Sequence, residues 1–272
     1  DLHDVKVVDD TRVDTRWTLQ MTFKPFPWRP RLLFTGTTKY IMNEDGLVVK
    51  HLDEWDSLSN NQPVSFEAVL ELVSQMLPDI AGLGARALRG NAPDVAPYTV
   101  LRKFGDGIEV RRYGPQRQVV TAAGQVYDKD SYDYATNLLL LYRGDALDAA
   151  QNSEKRILQQ TEPSLQMDTG NSDSSLAYVL PPGAAPKPNS KELQLIQVPE
   201  RLVAVGATRG FGSDRGRTEE GLEQQRQYLE AQIAKRGFQV TDRPKAFTLA
   251  NFADGYEMWL NVDMPDLSFE AY

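Results

Sequence analysis

Histidine, the side chain best suited to acid–base work and to iron ligation near neutral pH, occurs only at His3 and His51, and cysteine does not occur at all. The lack of cysteine removes disulfides, thiolate nucleophiles, cysteine-based zinc sites and iron–sulfur clusters together. Both histidines precede residue 60, so the C-terminal two-thirds holds neither a Ser-His-Asp triad nor a multi-histidine metal site. His51 ends a strand candidate and reads as a half-exposed sheet residue. The remaining iron donors are Met167, Met258, Met264 and the tyrosines, and Met258 sits in an alternating stretch that reads as core. Asp9-Asp10 lies between strands, and Glu219-Glu220 suits a helix N-terminus through the macrodipole. Arg209–Gly216 places three glycines before a helix but lacks the Gly-Lys-Ser/Thr of a phosphate loop, so it reads as a plain connection. These residues assemble no catalytic set and no metal site. The chain is expected not to be an enzyme.

Binding chemistry is better represented. Between 131 and 143, Tyr134, Leu138, Leu141 and Tyr142 recur at i, i+4, i+7 and i+8, one stripe of a helix that a sheet or an apolar ligand would cover. Leu139 and Leu140 fall outside that stripe, which makes the turn apolar nearly all round. Burial of a leucine contributes about 1.5–3 kcal/mol, so these two are expected under loops, at a groove wall or against a partner protein. Arg111, Arg112, Lys155 and Arg156 are the cations available to ligand carboxylates. Strand alternation puts Arg111 and Arg112 on opposite faces, so one of them at most faces a given groove. The candidate ligand-binding residues are Tyr134, Leu138, Leu141, Tyr142, Arg112 and Lys155.

Several elements must position them. Residues 13–23 alternate Val13, Thr15, Trp17, Leu19, Met21 and Phe23 on one face, a strand signal, and Pro25, Pro27 and Pro30 then interrupt the ladder. Strand candidates at 31–42 and 47–55 flank the turn Asn43-Glu-Asp-Gly46, giving an antiparallel meander. Ser65 caps a predicted helix carrying Phe66, Val69, Leu70, Val73, Met76 and Leu77, and Pro78 ends it. Residues 78–97 read as a linker.

Beyond it the same order of elements occurs twice. The first copy has strands near 98–104, 108–113 and 117–126, a helix near 131–143, and strands near 154–161 and 176–181. The second has strands near 192–198 and 201–209, a helix near 217–236 with Leu222, Leu229 and Ile233 on one face, and strands near 238–242, 246–252 and 256–262. Gly237 stands where a helix C-cap belongs. Pro181–Pro188, with four prolines, joins the copies as an extended crossover. The expected class is α+β: a distorted antiparallel β-barrel of two pseudo-symmetric βα halves with two outer helices, plus an N-terminal β-meander and helix. A groove is expected at the seam between the halves.

The net charge of −8 argues against a nucleic-acid partner, which selects a basic footprint, and no apolar run approaches the roughly 18 residues of a spanning helix. The chain opens at Asp1 rather than Met, which suggests that an upstream presequence or more of a domain is missing.

Four segments carry a family resemblance. Tyr98-Thr-Val-Leu-Arg-Lys-Phe-Gly-Asp-Gly-Ile-Glu-Val-Arg-Arg-Tyr113 resembles the opening hairpin of SOUL-type haem-binding proteins. Glu154–Pro163, Ala177–Pro182 with Pro186-Lys-Pro-Asn189, and Val198–Val205 resemble three further family segments in the same order. The chain departs from the pattern at Gln159-Gln160, where the family prefers apolar residues, and at Asp254-Gly255, which replace a basic position. Phe34–Tyr40 and Asp45–His51 are similar to the last strands of NTF2-like domains fused to SOUL domains in plants and green algae.

The resemblance implies three domains: 1–77 a partial NTF2-like segment, 78–97 a linker, and 98–272 a SOUL domain. It also implies a chloroplast address, in the stroma or peripheral to thylakoid, plastoglobule or eyespot. The function it implies is a non-catalytic binder or carrier of haem, porphyrin or a similar hydrophobic ligand, held weakly and without histidine ligation. The alternative is an accessory subunit docking on a larger thylakoid or lipid-droplet-associated complex through the Leu139/Leu140 face.

Overall fold

A computed structural model describes residues 1–22, 31–56, 94–124, 129–144, 151–169, 174–207, 219–242, 244–252 and 255–263. The expected helix at 65–77, most of the linker, Met264 and the glycine-rich connection at 209–216 lie outside the described residues. Two compact units emerge, one of residues 1–92, 100–111 and 264–272, the other of residues 93–99 and 112–263. Among the described residues no helix is long and apolar enough to cross a membrane.

The first unit holds an antiparallel sheet in the order β1 (Leu2–Asp9), β2 (Arg12–Thr22), β3 (Arg31–Met42), β4 (Val48–Trp55). The three expected strands are present. β1 was not legible, because the adjacent Val7 and Val8 break the alternation that Val5 begins, and all three valines stay exposed. The β3–β4 turn forms because Asn43 Oδ1 accepts from Asp45 N and Leu47 N at 3.1 and 2.9 Å, with Gly46 at φ 77°.

Directly paired residues share a face. Trp17, Gly36 and Trp55, Thr15, Thr38 and Asp53, and Val13, Tyr40 and His51 therefore line one side of this sheet. Arg16, Thr18, Thr35 and Thr37 line the other. On that second side lies the hairpin of β6 (Tyr98–Lys103) and β7 (Glu109–Tyr113), through its residues 100–111. Thr18 Oγ1 donates to Val100 O at 2.6 Å, Arg16 Nη2 to Leu101 O at 3.1 Å, and Lys103 N to Thr35 Oγ1 at 2.8 Å. Arg16, Thr18 and Thr35 are tolerated here because each meets a backbone partner, whereas the buried Thr37 Oγ1 has none among the described residues.

In the second unit the sheet order is β12 (Gln194–Val198), β8 (Gln116–Gly124), β11 (Ser174–Val179), β10 (Leu165–Thr169), β15 (Phe247–Phe252), β16 (Gly255–Asp263), β13 (Arg201–Ala207), β7, with β14 (Gln239–Val240) on β16. Arg112 and Tyr113, the end of β7, belong to this unit. Labelling each half by its element order, the row is palindromic about the β10–β15 pair. One strand of each half, the one before β8 and the one before β13, has crossed to the partner half: β12 lies on β8 and β7 on β13. The seam is a hydrogen-bonded ladder, Leu165↔Asn251 to Thr169↔Phe247, so within the sheet it is not a gap.

Val179 on β11 packs with Val203, Val205, Tyr113, Ala250 and Trp259 in one cluster although three strands separate β11 from β13. The sheet therefore curls about that face. The helices α1 (Lys129–Arg143) and α2 (Glu219–Ala234) pack on the opposite face, α1 against β8 and β11, α2 against β13 and β16. α2 buries Leu222, Arg226, Leu229 and Ile233, and Gly237 closes it at φ 80° as expected.

One expected strand is corrected. Residues 154–161 do not form a ladder; only Thr161–Glu162 is extended, as β9, paired with β5 (Asp94–Val95). The true strand is β10, which follows. Asn152 explains the difference, since its Nδ2 donates to Tyr142 O and Arg156 O at 2.8 Å each. Leu158 N donates to Arg143 O at 2.8 Å, so this segment caps the helix end instead of pairing. The proline-rich crossover runs beside it, with Ser153 N donating to Lys187 O at 2.8 Å.

Candidate functional site

Helix α1 starts with Asp130 in its first turn and ends with Arg143 in its last, both favourable to the macrodipole. Gly144 at φ 95° terminates it, its N–H donating to Leu140 O at 3.0 Å. Ala135, Leu139 and Tyr142, at i, i+4 and i+7, form the buried stripe, at 0%, 1% and 0% exposure. The expected stripe is therefore corrected by one position: Tyr134 faces solvent, and Ala135 and Leu139 take the core places assigned to Tyr134 and Leu138. The helix is apolar nearly all round, so pattern alone leaves its rotation open; the small Ala135 selects the side that approaches the sheet. Leu139 consequently cannot belong to a docking face, while Leu140 is half-buried.

The candidate residues separate accordingly. Tyr134, Leu138 and Leu141 share the outer side of α1, the first exposed and the two leucines half-buried. Tyr134 Oη donates to the Glu192 carboxylate at 3.0 and 3.1 Å, and that hydrogen bond, with the nearby negative charge, holds its phenol above the ordinary range. Tyr142 points inward and donates to Pro186 O at 2.7 Å, which makes it a tie between helix and crossover rather than a ligand contact. Lys155 is exposed at φ 49° in the segment that caps α1, and among the described residues it has no ion-pair partner. Arg112 is not joined to these groups; its Nε lies 4.0 Å from Glu200. Arg111 turns to Glu109 at 2.8 Å and Arg156 to Glu154 at 2.5 Å.

One residue was missed. Ile157 is 75% exposed beside Lys155 and Arg156, an apolar side chain flanked by cations at the helix end. Its signal was available, because Glu154-Lys-Arg-Ile157 breaks strand alternation. The outer side of the helix thus carries Tyr134, Leu138 and Leu141, and the segment that caps its C-terminal end carries Ile157, Lys155 and Arg156.

An iron-bearing ligand needs an axial donor, and the second unit offers a poor set. It contains no histidine. Met167 and Met258 are buried in the sheet. Burial pushes the Tyr142 phenol up and the Tyr178 phenol up to about 12, so neither is a ready phenolate. Tyr178 also donates to Gln159 O at 2.6 Å. Among the described residues no group of three or more histidine, aspartate or glutamate side chains converges on a metal position. These residues do not fit axial ligation.

Comparison with known proteins places the chain. No curated protein sequence matches it. Among solved structures, the crystal structure of a hydrolase from Listeria innocua is similar over 63% of this chain and 94% of that one, at 11% identity and a TM-score of 0.34. That likeness is too slight to bear on fold or activity. Residues 1–51 match the model of an uncharacterized conserved protein family, DUF2358. Residues 94–262 match the model of the SOUL heme-binding protein family. With more than half of its length matched, and with four segments of that stretch in family order, the chain belongs to the SOUL heme-binding protein family.

Proposed function

We propose that the chain is a non-catalytic binder or carrier of a tetrapyrrole, haem or porphyrin, or of a similarly flat hydrophobic ligand. The observation that carries this reading is the family match across residues 94–262. The outer side of α1 supports it, since Tyr134, Leu138, Leu141 and Ile157 offer apolar surface and Lys155 and Arg156 lie at one end for carboxylates. Binding there rests on ring burial and charge pairing, with the protein contributing no axial ligand from this unit. We place the carrier in the plastid, a reading supported by the resemblance of Phe34–His51 to segments of plastid fusions.

Titration of the full chain with protoporphyrin IX and with haemin, followed by absorbance, tests the proposal. A saturable spectral change with both is expected, without the sharp six-coordinate Soret band of bis-ligated iron. The pair Leu138→Asp and Leu141→Asp weakens binding at least about tenfold, roughly what losing one buried apolar contact implies, with the circular dichroism unchanged. Failure of both ligands to saturate sinks the reading.

A further inference from the structure

β1 is an edge of the first sheet, next to β2 alone, and from Val5 to Asp9 it is exposed. An open edge is a template for another strand, and natural edges are guarded against that. Which of its backbone groups face outward follows from the register. Asp1 N donates to Thr18 O at 2.7 Å and Thr18 N to Asp1 O at 2.8 Å, so Thr18 of β2 turns its backbone toward β1. Backbone groups alternate sides along a strand, so Arg16 and Asp14 turn the same way, toward Asp4 and Lys6 opposite them. Val5 and Val7 therefore direct their N–H and C=O away from the sheet. The Val5 N–H agrees, since its acceptor is the neighbouring Asp4 Oδ1 at 2.8 Å.

The side chains along this edge match a reversed copy of themselves. With two copies of β1 antiparallel and Val5 on the two-fold axis, Val5 meets Val5 and Asp4 meets Lys6 twice. The outward N–H and C=O of Val5 then exchange two hydrogen bonds across the axis. The Asp4–Lys6 couples fall at the non-hydrogen-bonded positions, where cross-strand side chains come closest. An axis at Asp4 or at Lys6 sets like charges face to face, and an axis at Val7 sets Lys6 against Val8. An axis between residues turns opposite faces of the two sheets to one side. Of these registers, the one centred on Val5 satisfies backbone and charge together. On the other edge, β4, the acids are engaged within the sheet, Lys39 donating to Glu54 at 2.6 Å and Thr38 to Asp53 at 2.5 Å.

We propose that β1 is a homodimerisation edge, through which two copies of this chain join antiparallel about Val5 and continue their four-stranded sheets as one. The pairing is isologous and closes at two copies. The Asp4 carboxylate, which covers the Val5 N–H in the single chain, swings to Lys6 of the second copy and frees that donor. Val5 and Val7, 51% and 70% exposed, lose part of their exposure beside the second strand. The inference is independent of tetrapyrrole binding.

Sedimentation velocity of the full chain across a concentration series tests it. A reversible monomer–dimer equilibrium is expected. Asp4→Lys and Lys6→Asp each replace two opposite-charge couples by two like-charge couples and weaken the dimer at least about tenfold. Mixing these two variants restores association to about the parent level, because each chain then offers the other the missing charge. Val5→Pro removes the central donor without touching the β1–β2 ladder and leaves a monomer, with the fluorescence of Trp17 and Trp55 checking that the sheet is intact. A parent that stays monomeric throughout, a dimer indifferent to either charge change, or a mixture no stronger than its components overturns the proposal. So does growth beyond the dimer, which would assign the pairing to β1 on β4 of the next copy, head to tail.

Discussion

Gln118 on β8 and Gln166 on β10 meet across the small Ala177 of the strand between them, Gln118 Nε2 donating to Gln166 Oε1 at 3.0 Å. Arg201 Nη2, arriving from β13 over the ring of Trp259, donates to the same oxygen at 3.1 Å. Because arginine can only donate, Gln166 must turn its oxygen this way. One fully buried amide thus ties three strands of the curled sheet.

Replacing Gln166 by leucine leaves the buried Gln118 amide and the half-buried Arg201 Nη2 without this acceptor. The expected loss is about 2–4 kcal/mol of stability, the cost of orphaning one neutral and one charged donor. Adding Gln118→Leu recovers part of it, and a double-mutant cycle in urea measures the coupling. Strict additivity of the two changes would refute the tie.

Gln116, two residues along the same face, gives the opposite sign. It is 8% exposed, and among the described residues neither its amide oxygen nor its nitrogen has a partner. Gln116→Leu removes two buried polar atoms and raises stability by about 1–2 kcal/mol. A lower melting temperature for this variant would show that the amide is satisfied after all.

These glutamines mark where sequence reading stops. The duplicated element order was legible because each half repeats strand, helix and strand signals of ordinary period, and the curled two-helix sheet follows from them. The exchange of β7 and β12 between halves was not legible, since local pattern says nothing about which distant edge a strand completes. Glutamine at alternating positions reads as solvent-facing, and only the curling of the sheet buries it. On α1 the existence of an apolar helix was plain while its rotation was not, because five consecutive apolar residues, Leu138–Tyr142, support several faces equally well. His51 and Asp53 share one face of β4 as i and i+2, which alternation alone gives, whereas the β3–β4 register that brings Thr38 alongside Asp53 was not legible.

The rotation of α1 separates fold from binding. Leu139→Ala should cost about 2–5 kcal/mol, as for other fully buried leucines, whereas Leu138→Ala at a half-buried position costs clearly less. Chemical denaturation of the two single variants decides it. Equal destabilisation would mean that the outer side of the helix is covered.

On α2 the buried Arg226 reaches Glu223 at 2.8 Å and Glu230 at 2.7 Å. Chiefly through the Arg226 hydrogen bonds, the Glu223 carboxyl is held down to about 2 from an ordinary 4.5. A carboxyl depressed in the folded state stabilises the protein fully above its unfolded value and loses that contribution as pH falls toward the folded one. Stability should therefore decline between about pH 4.5 and about pH 2, and Glu223→Gln should flatten that decline by on the order of 1 kcal/mol, given partial solvent screening. Identical acid profiles for parent and variant would rule the pair out as a contributor.

Arg16 and Asp56 make the comparable pair in the first unit, but under deeper burial, with side chains 1% and 7% exposed. Arg16 also donates to Leu101 O, and Asp56 accepts from Thr35 Oγ1, so both charges of the cluster are engaged by several elements at once. Breaking such a pair from one side strands a charge in a low-dielectric setting, at about 3–5 kcal/mol. Asp56→Leu alone should therefore unfold the β1–β4 sheet at lower denaturant than the parent, read through the fluorescence of Trp17 and Trp55. The double change Arg16→Met with Asp56→Leu removes both charges and should be markedly milder than Asp56→Leu, since no ion is then left behind. If the double variant proves worse than the single, the pair contributes more through its hydrogen bonds to Leu101 and Thr35 than it costs in desolvation, and the sheet depends on them directly.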